Sequence, residues 1–163
     1  MAKPEYQFDD FLAVVAGNQK KFATKVHNSL VKDGYKVKVE SKASGMFASY
    51  SHPKTKRSML NFLFRKTNLV VRIYADNIGG YSDLLSRLPE EMVKVIDKAP
   101  VCKRMINPED CNPRCIMGYD FHIQDNHYQK CRYSCFQFDA NPESLPVLAE
   151  FIENERQGRE MPA

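Results

Sequence analysis

Tryptophan is absent from the 163 residues, and so is any apolar run long enough to enter a bilayer. A membrane helix needs about 20 consecutive apolar residues, whereas stretches such as 11–16 and 69–71 are far shorter. The opening Met1-Ala2-Lys3-Pro4-Glu5 lacks the apolar segment and small-residue cleavage site of a secretory signal. A cytoplasmic protein with no membrane association is therefore expected. Low-complexity tracts, internal repeats and linkers are missing too, so residues 1–163 are expected to form a single domain. The familiar catalytic signatures are also lacking: no Gly-x-Ser-x-Gly elbow, His-Glu-x-x-His helix, Gly-x-x-x-x-Gly-Lys loop or Gly-x-Gly-x-x-Gly turn occurs. No catalytic residue is assigned on this basis, and an enzyme is the less favoured class.

What is present suits one folded core. Hydrophobic residues make up 43% of the chain, with ten Phe and eight Tyr as bulky packing units. A chain of this length buries roughly 70% of the surface that its unfolded form exposes. Carboxylates are scarce in the first part of the sequence. Residues 1–72 carry fourteen Lys and Arg against five Asp and Glu, a net of +9, and residues 73–163 carry ten against fifteen, a net of −5. A basic half of this kind attracts phosphate backbones or acidic partners.

Apolar spacing predicts a short helix over 8–16 and a second one ending at Gly34, with Phe22, Ala23, Val26 and Leu30 on its inner stripe. The period then changes to two. Residues 35–40, 46–51, 58–65 and 69–74 read as four strands of an antiparallel meander. Two helical pieces follow at 82–88 and 89–99, then an aperiodic loop to residue 117. Residues 119–123 and 127–131 read as a hairpin that extends the sheet, with its tip at 124–126, and 142–156 as a last helix. The fold class expected is α+β, an antiparallel sheet made of the meander plus the C-terminal hairpin, with helices packed mainly on one face.

A cysteine-rich segment, 101–138, is the most distinctive feature. It contains Cys102, the pair Cys111 and Cys115, and the pair Cys131 and Cys135. A hairpin between the two pairs returns them to one neighbourhood. Zinc prefers four soft ligands in a tetrahedron, which makes Cys111, Cys115, Cys131 and Cys135 a candidate metal set, with Cys102 as a substitute ligand. Two other readings stay open: a redox-sensitive pair, and thiols that are simply packed. On a helix the i and i+4 positions of Cys131 and Cys135 would share a face, whereas on a strand they would stand about 13 Å apart, too far for one metal.

Nucleic acid, or another acidic partner, is the second candidate. Lys36, Lys38, Lys42, Lys54, Lys56, Arg57, Arg65, Lys66 and Arg72 are interleaved with Tyr35, Phe47 and Tyr50, a mixture that contacts phosphates and stacks bases. A thiol enzyme pairing Cys115 or Cys131 with His122 or His127 is the third. His27 and His52 read as surface polar residues.

Residues 60–74 (LNFLFRKTNLVVRIY), the Leu88-Pro-Glu-Glu-Met helix start and the stretch Cys115–Phe138 with its Lys-Cys-Arg-Tyr-Ser-Cys-Phe resemble a group of small bacterial proteins often labelled transcriptional regulators. The resemblance implies a regulatory role and maps no catalytic residue onto this chain.

Overall fold

The computed structural model describes residues 6–65, 68–78, 82–107, 109, 118–132 and 134–160. Its first helices, α1 (Phe8–Leu12) and α2 (Gly17–Lys32), are short and long respectively. Gly34, at φ +88°, ends α2 in the left-handed conformation that a side chain disfavours. The apolar stripe of α2 buries Ala23, Val26 and Leu30. The period-two pattern that follows becomes β1 (Lys36–Lys42), β2 (Gly45–Ser51), β3 (Ser58–Arg65) and β4 (Asn68–Ile73), paired antiparallel in sequence order.

The register decides which residues meet the helices. Val39, Ala48, Phe62 and Val71 stand side by side across the sheet, and Val37, Tyr50, Leu60 and Ile73 form the next row. α1 and α2 pack on this face, with Phe22 edge-on to Phe62 at 6.1 Å and Phe62 edge-on to Tyr50 at 5.7 Å. His27 belongs to this layer and is not a surface polar residue. It stacks on Phe8, and its Nδ1 lies 2.8 Å from the Tyr50 hydroxyl. His27 is half-buried, whereas His52 is buried: its Nδ1 accepts from the amides of Lys54 and Thr55, which organises the β2–β3 loop.

Beyond β4 come α3 (Ser82–Ser86), α4 (Glu90–Lys98) and a single turn, α5 (Lys103–Ile106), inside the stretch expected to be loop. The expected hairpin forms as β5 (Tyr119–Ile123) and β6 (Asn126–Lys130), but it does not extend the meander; it is a separate two-stranded sheet. The open edge of β4 is taken instead by β7 (Gln137–Asp139), through Val70 opposite Asp139 and Arg72 opposite Gln137. The hairpin's alternation gives it one apolar face, and that face can satisfy itself as a layer as well as by edge pairing. Tyr119 and Phe121 lay it against Phe136, at 4.9 and 5.3 Å between ring centroids. The last helix, α6 (Leu145–Glu160), buries Leu148, Phe151 and Ile152 and touches Phe136 through Phe151. The architecture is therefore α+β, a five-stranded antiparallel sheet and a two-stranded hairpin with helices.

Candidate nucleic-acid interface

Successive strand residues point to opposite faces, so the register that buries Tyr50 and Phe62 also assembles the other face. Lys38, Ser49, Asn61, Arg72 and Gln137 form one row across all five strands. The next row is Glu40, Phe47, Leu63, Val70 and Asp139. Lys36, Lys42 and Arg65 share this face through the same two-residue period. Leu63 and Val70 are buried and form its floor. Lys36, Lys38, Lys42 and Arg65 are exposed around them, with Phe47, Ser49, Asn61 and Arg72 half-buried. Lys42 lies over the Phe47 ring at 4.7 Å. Arg72 donates from Nε and Nη2 to Gln137 Oε1 at 3.0 and 2.7 Å, which holds its guanidinium extended along the surface.

Five cations singled out from the sequence, Lys36, Lys38, Lys42, Arg65 and Arg72, thus share a face. Lys54 and Lys56 are exposed in the β2–β3 loop, and Lys56 comes near Lys36. Lys56 adopts φ 63°, and its ammonium is pulled below its ordinary pKa, first by hydrogen bonding to Lys36 and then by the Lys36 charge. Glu40, which approaches Lys38 at 3.9 Å, is a weak counterion because Lys38 is exposed and Glu40 is only half-buried. Lys66 lies outside the described residues.

Arg57 departs from the expectation. It belongs to a charged cluster at the end of the sheet, where its Nε lies 3.4 Å from Asp76 Oδ2. Arg132 reaches Asp76 Oδ1 at 2.6 Å, a charge contact without an aligned hydrogen bond, and Arg159 Nη2 reaches Oδ2 at 3.2 Å. Arg132 is also held over the rings of Tyr74 and Tyr119, at 5.3 and 5.6 Å. Glu155, fully buried, accepts from Asn77 N, Asn77 Nδ2 and Arg159 Nε at 3.1, 3.0 and 2.7 Å. Arg159 Nη2 further donates to the carbonyls of Ser58 and Tyr74, both at 2.9 Å. The cluster therefore ties α6 to the start of β3 and the end of β4. Its charges are paired, as buried charges must be. The i, i+4 spacing of Glu155 and Arg159 was a signal for their pairing; nothing in the sequence linked either to Asp76 or Arg132.

The cysteines divide. Cys111 and Cys115 lie outside the described residues. Cys131 and Cys135 span a turn in which Cys135 N donates to Cys131 O at 3.0 Å, so the helix-like alternative holds and the strand alternative does not. Cys135 is fully buried beside Phe136, and burial pushes its thiol well above the ordinary cysteine range. Cys102 is also buried, its sulfur accepting from Gly118 N at 3.3 Å. A side chain at Gly118 has no room, since a Cβ there would stand 2.1 Å from Lys130 O and 3.0 Å from Cys102 Sγ. Among the described residues no group of three His, Cys, Asp or Glu side chains is arranged to hold a metal ion. Among them, too, no helix is long and apolar enough to cross a membrane.

No protein-family model, curated protein or solved structure matches the chain.

Proposed function

We propose that this protein is a non-enzymatic binding protein whose lysine- and arginine-bearing sheet face receives a single-stranded nucleic acid. The observation that carries the reading is the register. It gathers Lys36, Lys38, Lys42, Arg65 and Arg72 on one face around half-buried Phe47, with Glu40 and Asp139 as the carboxylates of the same rows. Long cations follow a flexible phosphate chain, Phe47 offers a ring to a base, and Ser49 and Asn61 supply neutral hydrogen bonds between them. A regulator acting on nucleic acid is also the role implied by the resemblance of residues 60–74 and 115–138.

Fluorescence anisotropy with a labelled mixed-sequence single-stranded oligonucleotide tests this reading. Affinity is expected to fall linearly on a log–log salt plot, with a slope of about −0.7 per phosphate neutralised. The double variant Lys38→Ala, Arg72→Ala should weaken binding and reduce that slope. A chain that leaves the oligonucleotide untouched at low salt is not a nucleic-acid binder.

The cysteine-rich segment supports a second proposal, that zinc or thiol oxidation stabilises it. The chain carrying Cys111 and Cys115 leads into Gly118, which packs on Cys102 and precedes Tyr119, the partner of the residue before Cys131. Elemental analysis of protein purified without chelator, together with a count of titratable thiols, decides between bound metal, disulfide and free sulfur.

A further inference from the structure

The outer face of the β5–β6 hairpin carries chemistry that the sheet reading does not use. Its inner face is fixed in the core by Tyr119, Phe121, Ile123 and Tyr128, and the turn at Gln124, which adopts φ 54°, sets the register. In that register His122 stands directly opposite His127. Directly opposed residues have Cβ atoms about 5 Å apart, and here the two imidazoles lie parallel with centroids 4.5 Å apart. Beside them, His127 Nε2 is 2.5 Å from Asp120 Oδ1, while Asp120 Oδ2 accepts from Gln129 Nε2 at 3.1 Å. The carboxylate is thus itself held, and it fixes the orientation of the His127 ring. With Nε2 engaged by Asp120, His127 Nδ1 is the nitrogen left for a ligand.

We propose that His122 and His127 form an open two-imidazole site for a borderline divalent transition cation, with Asp120 as the residue that positions His127. Imidazole nitrogen suits zinc, nickel and copper(II), whereas oxygen-rich sites suit magnesium and calcium. A ligating histidine ordinarily gives its second ring nitrogen to a carboxylate, which orients the ring and raises its basicity; the Asp120–His127 contact has that form. Both rings are exposed, so the His122 ring can turn from parallel stacking by side-chain rotation to meet an ion at His127 Nδ1, while Asp120 keeps its contact with His127 and the anchored strands stay in place. With two protein ligands, the remaining coordination positions belong to water or to a partner's donor. The site is therefore of the open kind and differs from a closed four-ligand structural centre.

Nickel(II) alone, titrated into the full chain by calorimetry and by NMR of the histidine side chains, is the test. One ion per chain is expected, with the His122 and His127 resonances broadened and those of His27 and His52 unaffected. Each of His122→Ala and His127→Ala should abolish this binding, and His122→Gln and His127→Gln serve as variants that keep the side-chain bulk. Asp120→Asn should weaken binding by about 10–100-fold, the usual effect of losing an orienting partner. Nickel bound equally by the wild type and all four histidine variants would place the ion elsewhere on the chain and overturn the proposal, as would no binding to the wild type. Asp120→Asn binding as tightly as the wild type would remove the positioning role of Asp120.

Discussion

Gly158 of α6 lies against the side chain of Asn77, so that a Cβ at residue 158 would stand 2.8 Å from Asn77 Cγ and 2.9 Å from Asn77 Nδ2. The absent methyl group lets the loop after β4 approach the helix and deliver both Asn77 donors to Glu155. Gly158→Ala removes a poor helix former, which by itself would add about 1 kcal/mol of stability. It also drives Asn77 off a fully buried carboxylate, and overpacking with a broken buried contact costs about 1–3 kcal/mol. A net loss is expected in urea unfolding. A midpoint equal to or above that of the wild type would mean that Asn77 yields without cost.

Arg132 gives the sharper electrostatic test. Removing one member of a buried ion pair leaves an uncompensated charge, typically at a cost of about 3–5 kcal/mol. Asp76 keeps Arg159 and half-exposed Arg57 as neighbours, so Arg132→Ala should fall near the lower end, about 3 kcal/mol. Substituting Asp76→Asn in the same chain should recover part of that loss. A double variant no more stable than Arg132→Ala would show that the cation matters for its packing against Tyr74 and Tyr119 and not for its pairing.

Acid sensitivity should arise partly at the contact between α2 and α6. Arg156 bonds both Glu153 and Asp33, and it holds the Glu153 carboxyl below its usual range, chiefly by hydrogen bonding and also by its charge. A folded-state pKa below the unfolded one gives stability that is present above the unfolded value of about 4.3 and is lost as pH falls through the folded value. Denaturant midpoints should accordingly drop as the pH falls from about 5.5 through and below the ordinary glutamate range. Glu153→Gln should flatten that drop, and superimposable pH profiles would contradict the assignment.

Thiol reactivity should follow burial. Cys131 is partly exposed, whereas Cys102 and Cys135 are buried, and the Cys135 thiol is held protonated by its apolar surroundings. Alkylation of the native protein at mildly alkaline pH, read peptide by peptide in a mass spectrometer, should label Cys131 before Cys102 or Cys135. Early labelling of Cys135 would show that the turn around it opens readily.

Much of the fold was legible because it rests on periodicity. The alternation through Tyr35, Val37 and Val39, and again through Leu60, Phe62 and Phe64, specified the meander and which residues of β1 and β3 face the helices, although β3 and β4 bury apolar residues on both faces. That same alternation placed Lys36, Lys38, Arg65 and Arg72 together. What it could not specify was the company kept at longer range. The hairpin's pattern fits an edge extension and a separate layer equally well, and β7, of three residues, is too short to show a period. Arg57 looked like its basic neighbours until Asp76 was placed beside it. His27 and His52 looked like surface residues because nothing local announces that a Tyr50 hydroxyl or two loop amides will meet them.

The reach of Arg159 has a consequence for synthesis on the ribosome. The carbonyls of Ser58 and Tyr74 and the Asp76 carboxylate all await a guanidinium that is translated after every strand of the sheet. A nascent chain can therefore lay down its meander early, yet it holds that end of the sheet unlatched until α6 has cleared the exit tunnel.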